Sequence, residues 1–195
     1  MLRTKVILSE VTNLSDARYA SGMGVDYIGF SANPANNTYL AIDKIKEIAT
    51  WLSGVMFIGN IGESIPENFE QDNFELIQTS NPPLINSFKN PVLLLDATKE
   101  EISEIEEAII NNSSAVSFFI IKISAETLKK NETQLKELCR AHSIFISTDF
   151  DETNVTSILD DLNPEGIVLY GSSEDKPGLS SYEGIADILE NLETD

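Results

Sequence analysis

Apolar residues in this chain fall into short unbroken runs. Between the runs lie stretches in which they recur every three or four positions. The first such unit spans 4–34. Val6-Ile7-Leu8 reads as a buried strand, and Thr12-Asn13 supplies a helix N-cap. Leu14, Ala17, Ala20 and Gly24 recur at helical spacing, and Gly22 and Gly24 end the helix. Val25-Asp26-Tyr27-Ile28-Gly29-Phe30 then reads as a second strand. A strand, a helix and a strand in this order form one βα unit feeding a parallel neighbour.

The pattern continues to the end of the chain. Val55 to Gly59, Leu76 to Gln78, Val92 to Asp96, Val116 to Ile123, Ile144 to Ile146 and Ile167 to Tyr170 read as further strands. Ile42, Ile45, Ile48 and Leu52 stripe one helix, and Ile102, Ile105 and Ile109 another. Leu128, Leu135, Leu138 and Cys139 mark a third, Val155, Ile158, Leu159 and Leu162 a fourth, and Tyr182, Ile185, Ile188, Leu189 and Leu192 the last. Pro66 to Phe74 is a weak helix at best, and Asn81-Pro82-Pro83 opens a short helical segment. Continuously apolar strands are buried on both faces, with helices covering the outside. Eight repeats of this unit predict an α/β fold of one closed (β/α)8 TIM barrel, with residues 1–195 as a single domain. An open doubly wound sheet is the rival, but no Gly-rich phosphate fingerprint follows the first strand.

Composition narrows the function. The 195 residues include 13 basic and 32 acidic side chains, a formal net charge of −19. That balance argues against a nucleic-acid or anionic-membrane surface. The acidic run from Lys99 to Glu107 reads as a solvated helix face, the alternative being a face for a cation or a basic partner. No apolar run approaches the ~18 residues of a membrane span, and the first residues lack the features of a secretory leader. Cys139 is the single cysteine, which suits a reducing cytoplasm. It falls on an apolar stripe and reads as core, and His142 reads as a helix-end residue rather than the second half of a metal pair. Trp51, beside Leu52, reads as packing. Neither a metal nor a cofactor is expected.

A resemblance appears at Thr12, Asp16-Ala17, Gly24-Val25-Asp26 and Gly29-Phe30. These residues are similar to the opening of the phosphoribosylanthranilate isomerase family, a tryptophan-biosynthesis barrel enzyme. Pro34 and Tyr39 fit the family's loop after the second strand, and Gln78 fits its fourth strand. Ser172-Ser173 and Lys176-Pro177-Gly178 resemble its closing segment. The resemblance implies the Amadori isomerisation of N-(5'-phosphoribosyl)anthranilate. That reaction uses a cysteine base at the end of strand one and an aspartate acid at the end of strand six.

Here Ser9 stands at the base position, Glu10 at the following glycine, and Lys122 at the acid position. Thr38 replaces the arginine that meets the anthranilate carboxylate, and Thr148-Asp149 replace a phosphate-binding Gly-Gly. The resemblance therefore assigns catalysis to Ser9 and Lys122, phosphate binding to Gly171, Ser172, Ser173 and Thr148, and substrate contacts to Glu10, Thr38, Gln78 and Asp149. Asn33, Asn60 and Asp96 complete the expected rim.

Plainer roles stand beside these. Ser9 and Glu10 would shape the first turn, and Asp96, Asp149 and Asp151 would cap turns or helices. Lys122 would pair with Asp96, Asp149 or Glu10, reach solvent, or serve as a Schiff-base lysine in a dry mouth. Two functions follow. One is an isomerase-like enzyme acting on a small phosphorylated or carboxylated metabolite with altered catalytic groups. The other is a barrel that binds a small molecule or partner without isomerase chemistry.

Overall fold

The structure is a computed structural model that describes residues 1–171 and 182–194. Eight strands, β1 (Lys5–Ser9), β2 (Tyr27–Ser31), β3 (Met56–Gly62), β4 (Leu76–Thr79), β5 (Pro91–Asp96), β6 (Phe118–Lys122), β7 (Ile144–Ser147) and β8 (Gly166–Tyr170), form a closed barrel in chain order. Every pairing is parallel, and β8 closes on β1 from Lys5↔Gly166 to Ser9↔Tyr170. Among the described residues seven α-helices surround it: α1 (Leu14–Met23), α2 (Ile42–Ala49), α3 (Ile102–Asn112), α4 (Ala125–Lys130), α5 (Glu132–Ala141), α6 (Val155–Leu162) and α7 (Tyr182–Asn191). The (β/α)8 barrel expected from the repeating pattern is the observed fold. Among the described residues no helix is long and apolar enough to cross a membrane.

Strand periodicity divides the core in two. Val6, Leu8, Ile28 and Phe30 face outward and bury against helices that supply Ala17, Ala20, Ile188 and Leu189. Their alternating neighbours Ile7, Tyr27, Ile58, Leu76, Val92, Phe118, Ile120, Phe145 and Val168 fill the barrel. The Tyr27, Phe118 and Phe145 rings plug its N-terminal end, with Phe118 and Phe145 centroids 4.6 Å apart. Gly166 makes room for that plug. A Cβ there would lie 2.4 Å from both the Lys5 carbonyl and the Phe145 ring.

Local chemistry sets the helix ends. The Asn13 side chain accepts the Asp16 N–H at 2.9 Å and starts α1, and Gly24, at φ 80°, stops it. The Glu104 carboxylate accepts the Glu101 N–H at 3.0 Å, the returning half of a capping box at the start of α3.

Three features differ from the sequence pattern. The helix read through Leu128 and Leu135 is broken at Asn131, whose side-chain amide donates to the Thr127 carbonyl and competes with continuation of α4. The stretch from Pro66 to Phe74 holds only a 3-10 turn at Gln71–Asn73, whereas the short helical segment expected to open at Asn81 is present as the 3-10 stretch Pro82–Ser87. Trp51 lies beyond α2 and is 63% exposed, so it does not pack as its neighbour Leu52 does.

Candidate active site

In a parallel barrel the C-terminal strand ends form one mouth, and alternation decides which side chains enter it. The inward residues Ile7, Ile58, Leu76, Leu94, Ile120, Phe145 and Val168 place Ser9, Asn60, Gln78, Asp96, Lys122, Ser147 and Tyr170 on the same face two positions further on. On β2 the series runs Tyr27, Gly29, Ser31. Strand register joins these ends in three groups, Ser9↔Tyr170, Ser31↔Asn60↔Gln78 and Asp96↔Lys122↔Ser147, with a step between groups, as where Gln78 pairs with Val92. Every strand therefore ends in a polar side chain facing the mouth, directly above an apolar interior.

The groups in this ring differ in how they are held. Ser9 is 5% exposed and sits against Gly29, where a Cβ would lie 3.2 Å from the serine oxygen. Ser31 is fully buried, and its hydroxyl has no hydrogen-bond partner among the described residues. Gln78 is 5% exposed. The Ser147 hydroxyl and the Tyr170 phenol lie 2.9 Å apart. Burial pushes the Tyr170 phenol up, the Ser147 bond pulls it back, and the Glu10 and Asp96 carboxylates push it further up. Asp96 accepts from the Thr98 N–H and hydroxyl and pairs with Lys99 at 3.1 Å. Partial burial raises its carboxyl, but the Thr98 and Lys99 interactions outweigh this and leave it below the usual carboxylate range. Lys122, the last residue of β6, is exposed and makes no ion pair among the described residues.

Beyond β7 and β8 a cleft of about 610 Å³ opens toward α7. Thr148, Asp149, Asp151, Tyr170, Gly171 and Asp187 line it. Its acidic lining is adverse to a phosphate dianion. The Thr148 hydroxyl is buried without a partner among the described residues. Asp149 is exposed, and its carbonyl accepts from the Asn154 amide.

Several of the expected site residues have local partners. The Gly171 N–H is donated to the Ser9 carbonyl at 2.8 Å, so it is not free to hold a phosphate. Thr38 hydrogen-bonds Asn36 through both its N–H and its hydroxyl, within the β2–α2 connection. Asp151 shapes the turn before α6, its carboxylate accepting the Thr153 and Asn154 N–H groups, while the helix N-cap is Asn154 and Asp149 takes no capping role. Asp96 pairs with Lys99, not Lys122. Ser172 and Ser173 lie outside the described residues. Asn33 turns the β2–α2 connection by accepting the Ala35 N–H, and Asn60 accepts the Gly62 N–H.

Asp96 holds a turn as expected, Cys139 is buried, and His142 ends α5 against the edge of Phe119. Ser31, Ser147 and Tyr170 were not singled out from the sequence. The signal for them was present in strand parity, counted two residues on from each inward apolar side chain.

No family profile matches the chain. Curated relatives do. The chain is 23% identical over 203 residues to N-(5'-phosphoribosyl)anthranilate isomerase of Aquifex aeolicus (strain VF5), covering 98% of this chain and 99% of that protein. It is also 23% identical to the enzyme of that name from Sulfurihydrogenibium sp. (strain YO3AOP1), covering 93% and 96%. Among solved structures, phosphoribosylanthranilate isomerase from Thermotoga maritima superimposes with a TM-score of 0.78 at 18% identity, covering 97% of this chain and 98% of that one. A complex of such an isomerase with reduced 1-(o-carboxyphenylamino)-1-deoxyribulose 5-phosphate gives 0.76 at 19%, covering 97% and 98%. The resemblance carried by the two ends of the sequence runs the length of the chain.

Proposed function

We propose that this chain is a divergent member of the phosphoribosylanthranilate isomerase family and isomerises an N-substituted aminoaldose to the aminoketose at the barrel mouth. The supporting observation is the polar ring at the C-terminal strand ends, which carries Ser9 and Lys122 at the family's base and acid positions. Lys122, an ammonium on an inward strand end, is the proton donor to the ring oxygen that opens the sugar. Ser31, Asn60 and Gln78 suit sugar hydroxyls, because amides and hydroxyls both donate and accept. The ligand is a small phosphorylated or carboxylated metabolite. Its anionic group sits away from Asp149 and Asp151, near Lys122 and the Thr148 hydroxyl.

A second reading has its own support. The acidic cleft and the engaged Gly171 N–H weaken the place where a phosphate would rest, which suits a barrel that binds a small molecule without turning it over. Steady-state turnover of N-(5'-phosphoribosyl)anthranilate and its dephosphorylated riboside, followed by loss of substrate fluorescence, separates the two. The isomerase reading expects turnover that Lys122→Ala abolishes. Tight binding of the reduced aminoketose with no turnover of either compound supports the binding barrel.

A further inference from the structure

Glu10, immediately beyond β1, has a backbone φ of 56° and is one of three non-glycine residues with positive φ among the described residues. Side chains other than glycine pay for this conformation, and it persists only where the surroundings enforce it. Here they do. The carbonyl of Ser9 on one side accepts the Gly171 N–H at 2.8 Å, and the Val11 N–H on the other side donates to the Gly29 carbonyl at 3.0 Å. The turn is clamped between β8 and β2, so residue 10 must be left-handed whatever its side chain.

A glycine would meet that demand at no steric cost. Glutamate meets it at a cost, and its half-buried carboxylate makes no hydrogen bond and no ion pair among the described residues. The side chain therefore returns nothing to the fold. Its backbone stands at the rim of the mouth, directly after Ser9, whose register partner is Tyr170, and its charge pushes the Tyr170 phenol up. Ser9, by contrast, has no charged partner to activate it, and an unassisted hydroxyl is a poor base near neutral pH.

We propose that the Glu10 carboxylate is the general base of this barrel, working opposite Lys122. This rests on the isomerase reading. Lys122 gives a proton to the ring oxygen; the C1–O bond breaks and the nitrogen lone pair forms an iminium at C1. The Glu10 carboxylate removes the proton from C2, the C–H electron pair forms C1=C2, and the iminium pair returns to nitrogen. The Glu10 carboxylic acid then protonates C1 of the enolamine, while the C2 hydroxyl gives its proton to the neutral Lys122 amine as the ketone forms. Both groups end as they began, so no co-reactant is needed.

The test compares wild-type protein with Glu10→Gln and Glu10→Gly in the two-substrate assay across pH, with calorimetric titration of the reduced aminoketose alongside. Removing a general base predicts a loss of about 10²- to 10⁴-fold in kcat for both variants, with affinity for the reduced aminoketose preserved. The acid limb of the wild-type kcat/KM profile should vanish in Glu10→Gln, which a merely structural role would not produce. An active wild type whose Glu10→Gln variant turns over at the same rate would overturn the Glu10 assignment and leave the isomerase reading standing. A wild type that binds the reduced aminoketose and turns over neither substrate would remove both.

Discussion

At the scale of single residues, Glu10 shows what a sequence conceals. A turn after β1 was legible, but the sign of φ was not, because it is imposed by bonds from Gly171 and to Gly29 that lie far away along the chain. The strain is measurable apart from any chemistry. Glu10→Gly should stabilise the protein by about 1 kcal/mol, by relieving a left-handed non-glycine residue. Urea unfolding would show this as a higher midpoint at unchanged slope, and a lower midpoint would mean that Glu10 makes a stabilising contact. Cys139 was legible from the sequence, because its place on an apolar stripe sufficed. Burial pushes its thiol up to about 12. The unfolded chain releases that proton near the ordinary cysteine value of about 8.5, whereas the folded chain keeps it. The contribution of this group is therefore full below that value and falls as pH rises from about 8.5 toward 12. In the native protein Cys139 should resist thiol reagents at pH 8 and react fully only after denaturation, and rapid native labelling would show the thiol to be accessible.

At the scale of elements, the apolar runs located all eight strands, because a strand covered on both faces has no polar side to interrupt it. Helix boundaries were less legible. The stripe of Leu128, Leu135, Leu138 and Cys139 is continuous in spacing, yet Asn131 divides it by bonding back to Thr127. Periodicity registers which face is buried and is blind to a side chain that competes for a backbone carbonyl. Where caps are simple they should behave simply. Asn13→Ala removes the acceptor for the Asp16 N–H and should cost about 1 kcal/mol, read by the same urea titration. Gly166→Ala should cost more, about 1–3 kcal/mol, since its methyl would strike the Lys5 backbone and the Phe145 ring at the barrel floor. If alanine were tolerated there without loss, the aromatic plug would have to be looser than the close contacts around it indicate.

For the whole molecule, the fold followed from counting units, whereas the mouth followed only from register. Ser147 and Tyr170 are unremarkable in sequence and meet because both face inward near the C-terminal ends of neighbouring strands, where their oxygens lie 2.9 Å apart. The charge belongs to this scale too. Ion pairs such as Arg3–Asp160, Lys44–Glu47 and Lys46–Glu70 lie at the surface, where solvent screens them and each contributes little. Against them stands an excess of 19 negative charges on one chain. Salt weakens both the pairs and the repulsion, so the sign of its effect shows which is larger. With 32 acidic and 13 basic residues, each base can neutralise one acid, which leaves 19 acids without a counter-charge. Repulsion should therefore dominate, and the compact state should be held back at low ionic strength. The melting temperature should rise as NaCl increases from about 0.01 to 0.15 M, where the screening length falls from about 30 to 8 Å, and change little beyond. A melting temperature that falls over that range would mean that the surface pairs outweigh the excess charge, and the acidic face would then have to be read as a network that stabilises the barrel.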